Sequence, residues 1–136
     1  HALGGAIDYH PEGREIGTTA VTLTPAARHD PLFTCLPDNF QVNVSHKQTV
    51  TRLPTQAVVL AANSFESFHA VRFRERVWGL QFHPEFAGDV MKAYLQDRRL
   101  QLEAEGLDTA KLLEQVADTP LAASLLRQFA RLLAAV

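Results

Sequence analysis

An α/β architecture, with helices layered on a mixed β-sheet, is the fold class that these 136 residues predict, and three observations carry it. Short β-branched and apolar runs separated by turn residues fill the first two thirds of the chain. After Phe86 the apolar spacing changes from alternating to helical. The composition, 46% hydrophobic and 21% charged with seven Gly and seven Pro, is that of a folded domain and excludes a disordered or fibrous chain.

The strands come first. Residues 21–24 (Val-Thr-Leu-Thr) are a β-branched run closed by Pro25. In residues 41–45, Val42 and Val44 share one face of an alternating segment. Residues 57–62 form a continuous apolar run of the length of a strand covered on both faces. Residues 69–74 and 77–83 predict a hairpin turning at Glu75-Arg76. In its second strand Trp78, Leu80 and Phe82 share one face, while Gly79, Gln81 and His83 share the other.

The helices follow. Val90, Met91, Tyr94 and Leu95 predict a helix over residues 88–105 that stops at Gly106. Asp108 is placed to cap a second helix reaching about Val116, and Thr119-Pro120 to open a third. The last helix carries the stripe Leu121, Leu125, Leu126, Phe129, Leu132, Leu133, a core or partner-facing surface. The expected division is residues 1–87 as the sheet-bearing part and 88–136 as a helical extension.

Net charge is −2, from 13 basic and 15 acidic residues, which gives no electrostatic reason to expect nucleic acid or an anionic membrane as partner. No apolar run approaches the roughly 18 residues of a membrane span. The single cysteine, Cys35, excludes an internal disulfide and suits a reducing, cytoplasmic setting. Its surroundings, Leu32-Phe33-Thr34-Cys35-Leu36-Pro37, offer neither a glycine elbow nor a helix start to lower a thiol pKa. The expected role is a small apolar packing residue.

Chemistry concentrates in residues 78–86, Trp-Gly-Leu-Gln-Phe-His-Pro-Glu-Phe. A strand delivers His83, Pro84 stiffens the turn, and Glu85 stands two residues on, able to reach back to the imidazole. A histidine that exchanges protons near neutral pH, with a carboxylate fixing its tautomer, is what acyl transfer needs of a base. A histidine and a glutamate so close are also common without function. A metal site made of His46, His83 and Glu85 fits no compact ligand spacing.

Residues 79–85, Gly-Leu-Gln-Phe-His-Pro-Glu, resemble the C-terminal signature of class I (triad) glutamine amidotransferases. Gly13-Arg14-Glu15-Ile16-Gly17, Asp30-Pro31-Leu32-Phe33, Ser45-His46 and Leu53-Pro54 fall in that family's order. The resemblance spans roughly residues 1–90 and is strongest to the GMP-synthase-type amidotransferase domain and its stand-alone relatives. It implies a flavodoxin-like α/β fold and no cofactor or metal. It also implies hydrolysis of the glutamine side-chain amide through a Cys-His-Glu triad, with ammonia passed to an acceptor on a synthetase or acceptor subunit, if there is one. His83 then resembles the triad base and Glu85 its orienting carboxylate. Ser45, His46, Lys47 and Gln48 lie where relatives contact glutamine, largely through backbone groups, and Lys47 departs from the usual small residue or Gln. Leu3-Gly4-Gly5 resembles the end of the helix that follows the nucleophile elbow. The catalytic cysteine is therefore expected just before His1, and residues 1–136 alone are expected to be inactive. A γ-glutamyl hydrolase or peptidase of the same fold and a non-catalytic amidotransferase-like binding module are the alternatives.

Overall fold

A computed structural model describes residues 1–135. Its elements in chain order are β1 (Ala6–Tyr9), β2 (Glu15–Leu23), a 3-10 turn (Pro25–His29), β3 (Asn39–His46), β4 (Gln48–Arg52), β5 (Val58–Ala62), β6 (Ala70–Arg74) and β7 (Val77–Leu80), followed by α1 (Gly88–Asp97), α2 (Arg99–Ala104), α3 (Thr109–Gln115) and α4 (Pro120–Ala134). Five strands form one sheet in the order β3-β2-β5-β6-β7, and β1 pairs with β4 in a separate ribbon. Each of these pairings is antiparallel, as short connections allow. The five-stranded sheet curls. Just beyond β7, Phe82 forms a bridge with Val44 of β3, bringing the two edges of the sheet together.

That curl creates the core. Val21, Phe33, Phe40, Val42, Val44, Leu60 and Phe82 are buried together, the rings of Phe40 and Phe82 meeting edge-on at 6.2 Å. Ala122 and Leu125 of α4 complete this cluster. A second cluster joins Ile16 of β2 to Met91, Leu95 and Leu102, with Leu112 and Leu113 of α3 against it. The α4 stripe divides accordingly: Leu125 is buried and Leu132 partly so, while Leu121, Leu126, Phe129 and Leu133 stay exposed.

The hairpin turn falls where expected, between the paired residues Arg74 and Val77, with Arg76 in the left-handed region at φ 61°. Gly79 faces the ring of Phe73 so closely that a Cβ there would stand 2.6 Å from Phe73 Cε2. The glycine is what lets β7 lie flat under that ring. Asp108 caps α3 by accepting from the Lys111 amide at 3.0 Å.

Several local expectations are corrected. The helix expected over residues 88–105 is interrupted at Arg98, whose guanidinium lies 4.2 Å from the centre of the Tyr94 ring. Thr119 precedes α4 but makes no side-chain cap; its hydroxyl lies 3.5 Å from the buried Asn43 amide instead. Cys35 is exposed, not packed, because its loop lies outside the sheet. The second hairpin strand ends at Leu80, so His83 stands beyond it.

Candidate active site

Residues 81–86 take their shape from β3. The Phe82 side chain is drawn into the core, and alternation turns His83 the other way. The His83 amide donates to the Asn43 carbonyl at 2.8 Å, and the Asn43 side-chain amide donates to the Phe86 carbonyl at 3.0 Å. One buried asparagine thus holds both ends of the His83–Phe86 turn, while its own Oδ1 accepts from Thr18 at 2.6 Å. The signal available in the sequence was a polar residue between Val42 and Val44, on a strand buried on both faces.

Within the turn, His83 Nδ1 lies 2.8 Å from Glu85 Oε1. The imidazole stacks on Phe86, centroids 4.3 Å apart and 16° from parallel. With Nδ1 committed to a carboxylate, Nδ1 carries the hydrogen and Nε2 presents its lone pair. Nε2 has no hydrogen-bond partner among the described residues, and the side chain is 35% exposed. A positioned base with one nitrogen anchored and the other open can take a proton from a nucleophile and give it to a leaving group.

Ser45, His46, Lys47 and Gln48 form the tight β3–β4 connection, with only Lys47 between the strands. Ser45 Oγ is buried beside the Tyr94 side chain, whose pKa it helps to hold below the ordinary 10.0. Lys47 reaches the carboxylate of Glu105, which Arg14 also holds through Nε at 2.8 Å, and the two cations keep the Glu105 pKa down at about 2. A groove of about 370 Å³ runs beside this clasp, lined by Tyr9, His10 and Leu107 among others.

His46 does not join His83. Its side chain points inward, to a cluster that residue spacing did not disclose. Glu15 Oε2 lies 2.9 Å from His46 Nε2 and 3.1 Å from His69 Nε2, and Glu15 Oε1 accepts from Asn63 at 2.6 Å. Among the described residues these three ligand atoms have the spacing of a metal site. However, both ring nitrogens of His46 face acceptors, Glu15 and the Gln48 carbonyl at 3.0 Å. Nδ1 of His46 is thus committed to a backbone carbonyl, and the Glu15 carboxylate lies between the Nε2 atoms of His46 and His69.

Burial alone would raise the Glu15 pKa, but hydrogen bonds from His46 and Asn63 and the close His69 ring outweigh it and bring the group to about 2, from an ordinary 4.5. Burial likewise opposes the charge on His46, and the Glu15 carboxylate wins, placing the pKa above its ordinary 6.5. The depressed Glu15 value adds stability above about pH 4.5 that is lost as the pH falls toward 2; the raised His46 value adds stability below about pH 6.5 that is lost as the pH climbs through it. Urea unfolding across pH should therefore show a plateau between those limits that is flattened in the double variant Glu15→Gln/His46→Gln.

The curled sheet with helices against it and a His-Glu turn just past its last strand define an α/β domain that presents a carboxylate-anchored histidine at the sheet edge. The sequence matches the class-I glutamine amidotransferase family over residues 1–102, and the chain belongs to that family. It is 34% identical over 86 residues to a glutamine-hydrolyzing GMP synthase of Thermosipho africanus, covering 62% of this chain and 16% of that protein. It is 32% identical over 90 residues to a γ-glutamyl-L-1-hydroxyisopropylamide hydrolase of a Pseudomonas species, covering 65% and 30%. A glutamine amidotransferase structure from Thermotoga maritima superposes with a TM-score of 0.75 at 26% identity, covering 93% of this chain and 54% of that one. The chain thus spans about half of that solved relative and less than a third of these curated ones.

Proposed function

We propose that this domain performs the glutaminase half-reaction, hydrolysing the side-chain amide of L-glutamine to glutamate and ammonia. The supporting observation is the His83 imidazole, anchored through Nδ1 on Glu85 and open at Nε2. In this reading a cysteine thiolate attacks the amide carbon, and His83 donates a proton to the departing ammonia. The resulting thioester is hydrolysed by water that His83 deprotonates, releasing glutamate and restoring the thiol. Glu85 fixes the tautomer and steadies the imidazolium.

Cys35 does not fit as the nucleophile. It lies in an exposed loop between the 3-10 turn and β3, with no helix start to activate a thiol. The cysteine is therefore assigned to a segment outside residues 1–136. Ser45–Gln48 would receive the glutamyl part, largely through backbone groups. Ammonia would pass to an acceptor site on a synthetase domain or partner subunit, with residues 88–136 as an extension of the amidotransferase domain and the cytoplasm as the setting. None of the helices among the described residues is long and apolar enough to cross a membrane.

The similarity to a γ-glutamyl amide hydrolase favours a second reading, with the same triad and an alkylamine in place of ammonia as leaving group. Competition decides between them. With both substrates present, preferential loss of L-glutamine supports the amidotransferase reading, and preferential loss of γ-glutamyl isopropylamide supports the other.

A further inference from the structure

Two hydrogen-bond networks flank the turn between β3 and β4, and one of them runs on toward the base. The Gln48 carbonyl accepts from His46 Nδ1 at 3.0 Å and from the Gln81 side-chain amide at 2.9 Å. Gln81 lies two residues before His83, and its own amide donates to the His69 carbonyl at 2.8 Å. A single oxygen therefore ties the proposed substrate segment to the strand end that delivers the base. The His46 half of that tie lasts only while Nδ1 carries a hydrogen.

The other ring nitrogen of His46 faces Glu15 Oε2 at 2.9 Å. A carbonyl and a carboxylate are both acceptors, so each nitrogen must donate, and His46 must be the imidazolium. Lose that proton and one of the two contacts becomes lone pair against lone pair. The environment is built to keep it. Glu15 belongs to β2 and is oriented through Oε1 by Asn63, in the β5–β6 connection. From that same connection the buried Glu66 adds negative potential at His46, and Phe65 places its ring edge-on at 6.3 Å. His69, fully buried, lies against the Glu15 carboxylate without hydrogen-bond alignment, and the ring of His10 stacks on Phe65 at 4.1 Å.

The geometry points to Glu15 as a positioning residue for the glutaminase site: it holds His46 as an imidazolium, and through it fixes the Ser45–Gln48 turn against the His83 strand. Glu15 touches neither substrate nor base, and the role rests on the glutaminase reading. In a neutral-histidine state the turn would lose one anchor, and glutamine binding would weaken while the His83–Glu85 pair stayed intact. The expected signature is thus in KM and not in kcat.

The experiment uses the intact protein, with L-glutamine as the probe. For Glu15→Gln, KM should rise about tenfold at neutral pH with kcat within about threefold of wild type, the size of one lost charge-assisted hydrogen bond. In the wild type, KM should climb at a pH above the ordinary histidine range near 6.5, and Glu15→Gln should shift that climb down toward it. An unchanged KM and pH profile in Glu15→Gln would overturn the role, and so would a fall in kcat at constant KM. A second readout needs no variant and no activity. Long-range proton–nitrogen NMR of the wild type at about pH 7 should show both His46 nitrogens protonated; a neutral tautomer there overturns the proposal. If wild type releases no glutamate while His46 is doubly protonated, the glutaminase reading has failed and the ion pair stands. Activity with a neutral His46 is the reverse result.

Discussion

Replacing His83 with alanine in the intact protein is expected to abolish glutamine hydrolysis, lowering kcat by roughly a thousandfold or more. His83 performs both proton transfers of the proposed cycle, so no step is spared. Glu85→Gln should cost less. The glutamine can still accept from Nδ1–H through its carbonyl oxygen and hold the tautomer, but it no longer balances the imidazolium charge. Steady-state glutamate release ranks the three proteins, and the order wild type, Glu85→Gln, His83→Ala is the expected one. Wild-type rates in His83→Ala would remove His83 from the reaction. The His83 side chain is partly exposed, so the substitution leaves the core untouched, and circular dichroism should show an unchanged fold.

Asp30→Ala is expected to cost about 3 kcal/mol of stability, the range for removing one partner from a buried charged network. Asp30 is fully buried. Its carboxylate accepts from Trp78 Nε1 at 3.1 Å, from the Leu32 amide at 3.0 Å and from Arg72 at 3.2 Å. Alanine would strand the indole N–H and the Leu32 amide and leave the Arg72 guanidinium without its partner. Asp30→Asn should be milder, since one acceptor oxygen remains. A melting temperature lowered by ~10 °C in Asp30→Ala is the expected reading; a change within a degree or two would mean that the network adds nothing net. Trp78 and Arg72 sit on the hairpin that leads to His83, so loosening this network should also broaden the site.

Much of the fold was legible because the strands with strong alternation or continuous apolar runs are the ones that bury their faces. The hairpin around Glu75-Arg76 and the break to helix after Phe86 fall where the residue pattern places them. β1 and β4 were not visible. They form a two-stranded ribbon exposing Ile7 and Tyr9, and without a buried face no alternation is selected. The first half of β2 was hidden for another reason: Glu15 and Gly17 are poor strand formers, the side chains of Glu15 and Thr18 serve His46 and Asn43, and Gly17 admits the close approach of Leu112.

At the site, the proximity of His83 and Glu85 followed from their spacing of two residues across a proline. The placement of His46 did not. Its neighbours in sequence suggested a substrate contact, but its ring turns toward Glu15, thirty-one residues earlier, and His69. The role of Asn43 stayed hidden for the same reason: its partners at Phe86 and Ala117 come from distant segments. Contacts between residues far apart in the chain exist only once the sheet has curled.

The most direct test of the central claim is to incubate the intact protein with L-glutamine and quantify glutamate and ammonia together. The account predicts both products in equal amounts, with no glutamate formed by His83→Ala under the same conditions. A folded wild-type protein that forms no glutamate from L-glutamine, or a His83→Ala variant that forms it at the same rate, would contradict the account.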